Sequence, residues 1–395
     1  MTYRSLSEFV NKNDIKIGVD FSLFPPLYYH SLEDGYYNYC STYKSVKDDF
    51  DNFLETDWSN RESISFNYSK NEYKEFCVRC LLGFHRFFEL YIKHILSRYH
   101  EDLATYRFKN ITNVNTYLES NIPNIDLTVE PQTVEFQLAF KRLKAFKELE
   151  ALGKLHLNFK TASKYYFLLT TESEETLNEL RDWRNKISHN GKRLPNYLAL
   201  EYLVTQRITP LVIEILKIEK DEIKDYVLTF QRNSKGINIL DQFSNPQASF
   251  DYNDIFLYGK RNSMLNILEY FAHVKELGRA SIHNPFLPLA PKEEKNRIRL
   301  KYESFAKCES RLKECLRIIQ CPCCGCKTLG VYHKVVYIVH PKSTIDKYLG
   351  KCYACSYEIN NLNSDPYKVG LFAEEIFRKK ESWLMKLKKI LNFSN

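Results

Sequence analysis

Apolar side chains recur at helical spacing through the middle of this chain. Phe76, Cys80, Phe84, Phe87, Phe88, Tyr91 and Ile95 fall on one face, and Ser69-x-x-Glu72 ahead of them has the form of a capping box, so a helix is predicted to about Tyr99. A second stripe, from about Thr133 to Leu152, carries Phe136, Leu143, Phe146 and Leu149. A third opens on Thr171-x-x-Glu174, continues through Leu177, Leu180, Trp183 and Ile187, and is expected to stop at Asn190-Gly191. A fourth runs from Tyr197 to Ile218. Four amphipathic helices with moderate connections predict a helical bundle over residues 68–220.

The flanks follow other patterns. In residues 1–67, Phe24-Pro25-Pro26-Leu27-Tyr28-Tyr29 and Asp34-Gly35-Tyr36-Tyr37 mix aromatic with turn-forming residues, and short strands or loops are expected there. Residues 221–290 read as a connecting α/β region, with strands in Asp225–Phe230 and Gly236–Leu240 and a helix near Ser263 to Glu276. Proline interrupts Asn284–Pro291, because it lacks an N–H donor and fixes φ, and this marks a boundary. Residues 291–395 then hold a charged helix from Pro291 to about Gln320, a cysteine-rich module, and a last basic helix from Phe377 to Phe393.

Charge sharpens this division. Residues 292–395 contain 21 Lys and Arg against 11 Asp and Glu, more than the whole net charge of +8, so the rest of the chain is slightly acidic. A cationic module beside a near-neutral body suits a polyanion, most simply RNA or another nucleic acid. Charged residues interrupt the N-terminal segment, and no apolar run is long enough to span a bilayer, so no membrane span and a cytoplasmic location are expected.

Eleven cysteines, an odd number with several in Cys-x2-Cys pairs, predict metal ligation in place of disulfides. Cys321-Pro322-Cys323-Cys324-Gly325 and Cys352-Tyr353-Ala354-Cys355 supply two tight turns whose outer thiolates, Cys321, Cys324, Cys352 and Cys355, suit a structural tetrahedral zinc ion. The overlapping pair Cys323 and Cys326 has the same spacing. The first register is preferred because it places proline second and glycine next, as in the knuckle of a zinc ribbon, with Leu329–Val339 and Lys347–Ile359 as its strands. His333 and His340 are nearby alternatives that four cysteines make unnecessary. Cys77-x2-Cys80 lies within a strong helical stripe and is read as core packing.

The third bundle helix ends in Arg181-Asp182-Trp183-Arg184-Asn185-Lys186-Ile187-Ser188-His189. This segment resembles the HEPN superfamily, all-helical bundles marked by Arg-x4-6-His with a polar residue after the arginine. Arg184, Asn185 and His189 match that motif. The resemblance implies a HEPN-like bundle; with the irregular aromatic-rich N-terminal region and the C-terminal zinc ribbon flanked by helices, the chain is expected to be mainly α. It also implies endoribonuclease chemistry without a catalytic metal, at a composite site formed by two bundles in a homodimer or higher oligomer, as in toxins and antiviral effectors. The geometry agrees with a shared site, because residues five apart on a helix are rotated by about 140° and Arg184 and His189 do not share a face. Arg79 and His85 show a similar spacing, read as coincidence. The alternative reading is a non-catalytic nucleic-acid-binding or adaptor protein that dimerises through the bundle; a protein activator or inhibitor is a further partner either reading allows.

Overall fold

The computed structural model describes residues 26–55, 71–190, 194–223, 230, 237–244, 261–282, 292–312, 315–338 and 343–359. The chain is mainly helical, with a small antiparallel sheet towards its C-terminal end. The helices are α1 (Leu27–Glu55), α2 (Asn71–Tyr99), α3 (Ile111–Ser120), α4 (Phe136–Ala151), α5 (Thr171–Asn190), α6 (Tyr197–Tyr202), α7 (Thr209–Ile218), α8 (Ile239–Ser244), α9 (Arg261–Ile282) and α10 (Lys292–Leu312). The strands are β1 (Arg317–Ile319), β2 (Leu329–Ile338), β3 (Ser343–Cys352) and β4 (Glu358–Ile359). Among the described residues no helix is long and apolar enough to cross a membrane.

Two compact units divide the chain: residues 1–35, 79–193 and 215–226 form one, and residues 36–78, 194–214 and 227–395 the other. In the first, α2 buries Phe84, Phe88, Tyr91 and Ile95 as its stripe predicts. Arg142 of α4 is fully buried and donates to the carbonyls of Leu103, Thr105 and Phe108 at 2.7, 2.6 and 2.7 Å. Removal from water lowers its pKa to about 10. Arg98 grips the buried Glu219 with two nitrogens, at 2.9 and 2.6 Å, and Tyr91 Oη donates to the same carboxylate at 2.8 Å.

The expectation of strands or loops in the N-terminal region fails over residues 27–55, which form one helix. Its buried tyrosines, Tyr28, Tyr36, Tyr39 and Tyr43, with Leu32 and Cys40, follow a helical period. Gly35 is no turn residue: a Cβ on Gly83 of α2 would lie 2.8 Å from Gly35 backbone atoms, so the pair lets the two helices approach closely.

Three further readings are corrected. The cap of α5 is Thr170, whose Oγ1 accepts from the Ser173 N–H at 3.3 Å, so the start lies one residue before the predicted box. Ile239 and Leu240 open a short helix, started by Asn238 Oδ1 accepting from the Leu240 N–H at 3.1 Å, and are not in a strand. The charged helix ends at Leu312, and residues 317–319 of its predicted C-terminal turn instead pair with β2 as β1. The segment Tyr197–Ile218 is helical throughout but passes through a π-helical turn at Leu203–Ile208, where the Thr209 N–H reaches back to Val204 O. Ser69, Asp225–Thr229 and Phe377–Phe393 lie outside the described residues.

In the second unit a polar cluster is wholly buried. Lys275 of α9 pairs with Glu201 of α6, donates to Thr42 Oγ1 at 3.0 Å and Tyr197 Oη at 3.1 Å, and stands 4.1 Å above the Tyr39 ring. The four strands form one antiparallel sheet in the order β1-β2-β3-β4.

Candidate metal centre and guanidinium cleft

The sheet register assembles the cysteines. Leu329 opposes Cys352, so the knuckle that precedes β2 and the knuckle that follows β3 meet at one end of the hairpin. In the first knuckle Gly325 takes φ +74°, a left-handed conformation suited to glycine, and its N–H bonds Cys321 O at 2.9 Å. Cys321, Cys324, Cys352 and Cys355 then place their four Sγ atoms within 4.8 Å of one another. The pairs 321/355 and 324/352 are 3.6 and 3.7 Å apart. A tetrahedron with zinc–sulfur bonds of about 2.3 Å has sulfur–sulfur edges of roughly 3.8 Å, so this donor set fits such an ion.

Cys323 and Cys326, the competing register, stand outside that cluster. Cys323 Sγ lies 3.8 Å from Ser281 Oγ of α9, and Cys326 Sγ is 3.7 Å from Cys324 O. Hydrogen bonds from Cys321, Cys326 and Cys352 hold Cys324 well below the ordinary thiol range, while burial pushes Cys321 up. A divalent cation would offset part of the charge of four thiolates, three of them buried and that of Cys324 half-buried.

The second knuckle is supported from several directions. The Ala354 and Cys355 N–H groups approach Cys352 Sγ at 3.4 and 3.5 Å, and Thr328 Oγ1 lies 3.1 Å from the same sulfur. Ser356, with φ +56°, is an uncommon non-glycine residue in the left-handed region. Arg279 of α9 holds it there, donating to Ser356 O at 2.5 Å and Ser356 Oγ at 3.2 Å, and is itself paired with the buried Glu276. Glu276 also accepts from the Glu358 N–H at 2.6 Å. No pattern at the sequence level signalled this contact between α9 and the ribbon.

The residues of the Arg-x4-His motif lie on α5. Arg184 and His189 are both exposed, and Arg184 Nη1 donates to Asn185 Oδ1 at 3.0 Å. Within one chain the structure groups Arg184 with Asn185. Both line a cleft of about 270 Å³ shared with Arg181, with His85 and Glu89 of α2, and with Phe136 of α4. His189 is not among the lining residues. His85, dismissed as a coincidence of spacing, is therefore the histidine beside Arg184. It is only 8% exposed, its ring packs on Phe136 with centroids 5.4 Å apart, and Glu89 Oε2 lies 3.8 Å from its Nδ1. The signals available were weak: one histidine on an apolar helical face, followed four residues later by a glutamate.

Cys77 and Cys80 are buried in α2 as that stripe requires, and burial raises the Cys77 thiol to about 12. No protein-family model matches the chain, and no curated protein or solved structure shows significant similarity to it.

Proposed function

We propose that this chain is an endoribonuclease of HEPN type that cleaves RNA without a catalytic metal, and that its four-cysteine centre holds a structural zinc ion. The observation that carries the first part is the presentation of Arg184 and His189. Both project into solvent from one helix, and Asn185 orients the guanidinium through one nitrogen while leaving its other donors available. A guanidinium so placed can hold a phosphodiester in the plane of two oxygens and meet charge as it develops on phosphorus.

In the reaction the ribose 2′-oxygen bonds to phosphorus as a base takes its proton. The bond from phosphorus to O5′ breaks, and the leaving oxygen takes a proton from the imidazolium of His189. The products are a 2′,3′-cyclic phosphate and a 5′-hydroxyl, with no redox change. Arg184 and His189 do not share a helical face, so a second copy of the bundle brings the missing group to each site. Four thiolates fill a zinc coordination sphere, so the ion contributes folding energy to the ribbon and takes no part in the reaction. The ribbon and the basic residues around it position the RNA, in the manner of a toxin or antiviral effector whose partner could also be a protein that activates or restrains it.

The test is RNA cleavage by wild type and His189→Ala in buffer containing EDTA. A general acid is worth roughly 10²- to 10⁴-fold, and the variant is expected to lose that much activity with its RNA binding and melting curve unchanged. Equal cleavage by the two proteins would overturn the role of His189. A wild type that binds RNA and cleaves none would favour the adaptor reading.

A further inference from the structure

The cleft in the first unit contains what a phosphodiester and its reacting hydroxyl need, and it does so within one chain. Two guanidiniums, Arg181 and Arg184, enter it from α5, one turn apart. Among the described residues Arg181 is paired with its exposed neighbour Asp182, at 3.1 Å, a surface contact that an incoming phosphate can replace at little cost. One of the two carboxylates lining the cleft is already engaged: Glu89 Oε1 accepts from Lys93 Nζ at 2.7 Å, and its other oxygen faces His85 Nδ1. With Nδ1 turned towards Glu89, Nε2 is the ring nitrogen left for a ligand.

We propose that this cleft is a binding site for a single phosphodiester of RNA, in which Arg184 and Arg181 hold the phosphate and His85, positioned by Glu89, accepts the 2′-hydroxyl proton. This rests on the ribonuclease reading and gives that reaction the base it lacked. The proton goes from the 2′-oxygen to His85 Nε2 as the oxygen–phosphorus bond forms; His189 supplies the proton to O5′ as before.

The electrostatics favour this division between two histidines. Burial lowers the pKa of His85; Glu89 raises it, and Arg184, Lys93 and Arg181 press it down again. Glu135, at the start of α4, is the remaining charged group lining the cleft. A neutral imidazole is the form able to accept a proton. The half of the site that His85 occupies is therefore the one for the attacking group, and the exposed His189 is left for the leaving group.

The experiment uses the full-length protein and two probes. Binding is followed by fluorescence anisotropy with a labelled oligonucleotide whose reacting 2′-hydroxyls are replaced by hydrogen, so that nothing can be cleaved. Arg184→Ala and Arg181→Ala are each expected to weaken binding about tenfold, and His85→Ala to leave it within about twofold. Cleavage is followed on the all-ribose counterpart. His85→Ala is expected to lose about 100-fold or more, and added imidazole to restore part of the loss, which it would not do for a purely structural residue. His85→Gln, closer in size, guards against a folding defect and should be equally slow.

Binding that ignores both arginines would overturn the site. Cleavage by His85→Gln at the wild-type rate would overturn the base while leaving the ribonuclease reading intact. Probe binding through the two arginines by a wild type that cuts no RNA would overturn the ribonuclease reading and, with it, the proton step assigned to His85.

Discussion

Arg142 shows what a single side chain can hold in place. Its guanidinium closes three backbone carbonyls of the segment between α2 and α3. Arg142→Ala would leave three buried acceptors without donors, at about 1–3 kcal/mol each before relaxation. A loss of at least about 3 kcal/mol is expected in urea unfolding, and Arg142→Lys should recover little of it, because one ammonium cannot reproduce the fork. A stability change below about 1 kcal/mol would show that water takes over those carbonyls. Nothing local in the sequence announces this residue. Helical periodicity sorts positions by polarity and so sends arginine outwards, as it does Lys275 and Glu201, which are buried as an ion pair. The four clustered cysteines were legible for the opposite reason: a knuckle is specified within five residues, and its spacing survives in the sequence. His85 was not, since its neighbours Arg181 and Arg184 come from a distant helix and only the fold brings them together.

At the level of elements, α2, α4 and α5 could be read from their stripes, because burial of one face is a periodic property. α1 could not. Its stripe is built of tyrosines, which favour strands as readily as helices, and Asp34-Gly35 imitates a turn. The glycine answers instead to the close crossing with Gly83. The end of α5 tests how its start is fixed. Thr170→Ala removes the side-chain acceptor for the Ser173 N–H, and a loss of about 1 kcal/mol is expected by thermal or urea unfolding. Thr171→Ala, at the position the sequence pattern had suggested, should be neutral or slightly stabilising, because alanine is the better helix former. A larger loss at Thr171 would return the cap to the predicted box.

For the molecule as a whole, the four-cysteine cluster is the feature whose loss is expected to reach furthest. A preparation made without chelators is expected to contain about one zinc per chain, and a value near zero would count against the centre. Competition from protons has a definite sign: metal binds thiolates, so affinity falls as pH falls, and loss should begin on the acid side. Hydrogen exchange after chelation should show the amides of residues 321–328 and 352–355 losing protection, with α9 keeping its own. α9 is packed through Lys275 and Glu201 as well as through Arg279, whereas the knuckles converge on the four thiols, with Thr328 and Arg279 as side-chain supports beside short backbone bonds. Exchange that is unchanged at both knuckles would mean that the hairpin holds itself. The helical stripes and the cysteine knuckles were thus visible in the sequence as patterns, and the clamp of Arg279 on Ser356 was visible only once the backbone was folded.

The wide turn at Leu203–Ile208 stores one amino acid more than an α-helix of the same rise would use. Losing that surplus unit would tighten the coil into an uninterrupted spiral and leave the residues before and after it in phase with their present neighbours. Along Tyr197–Ile218, this is where length is negotiable even though composition is not.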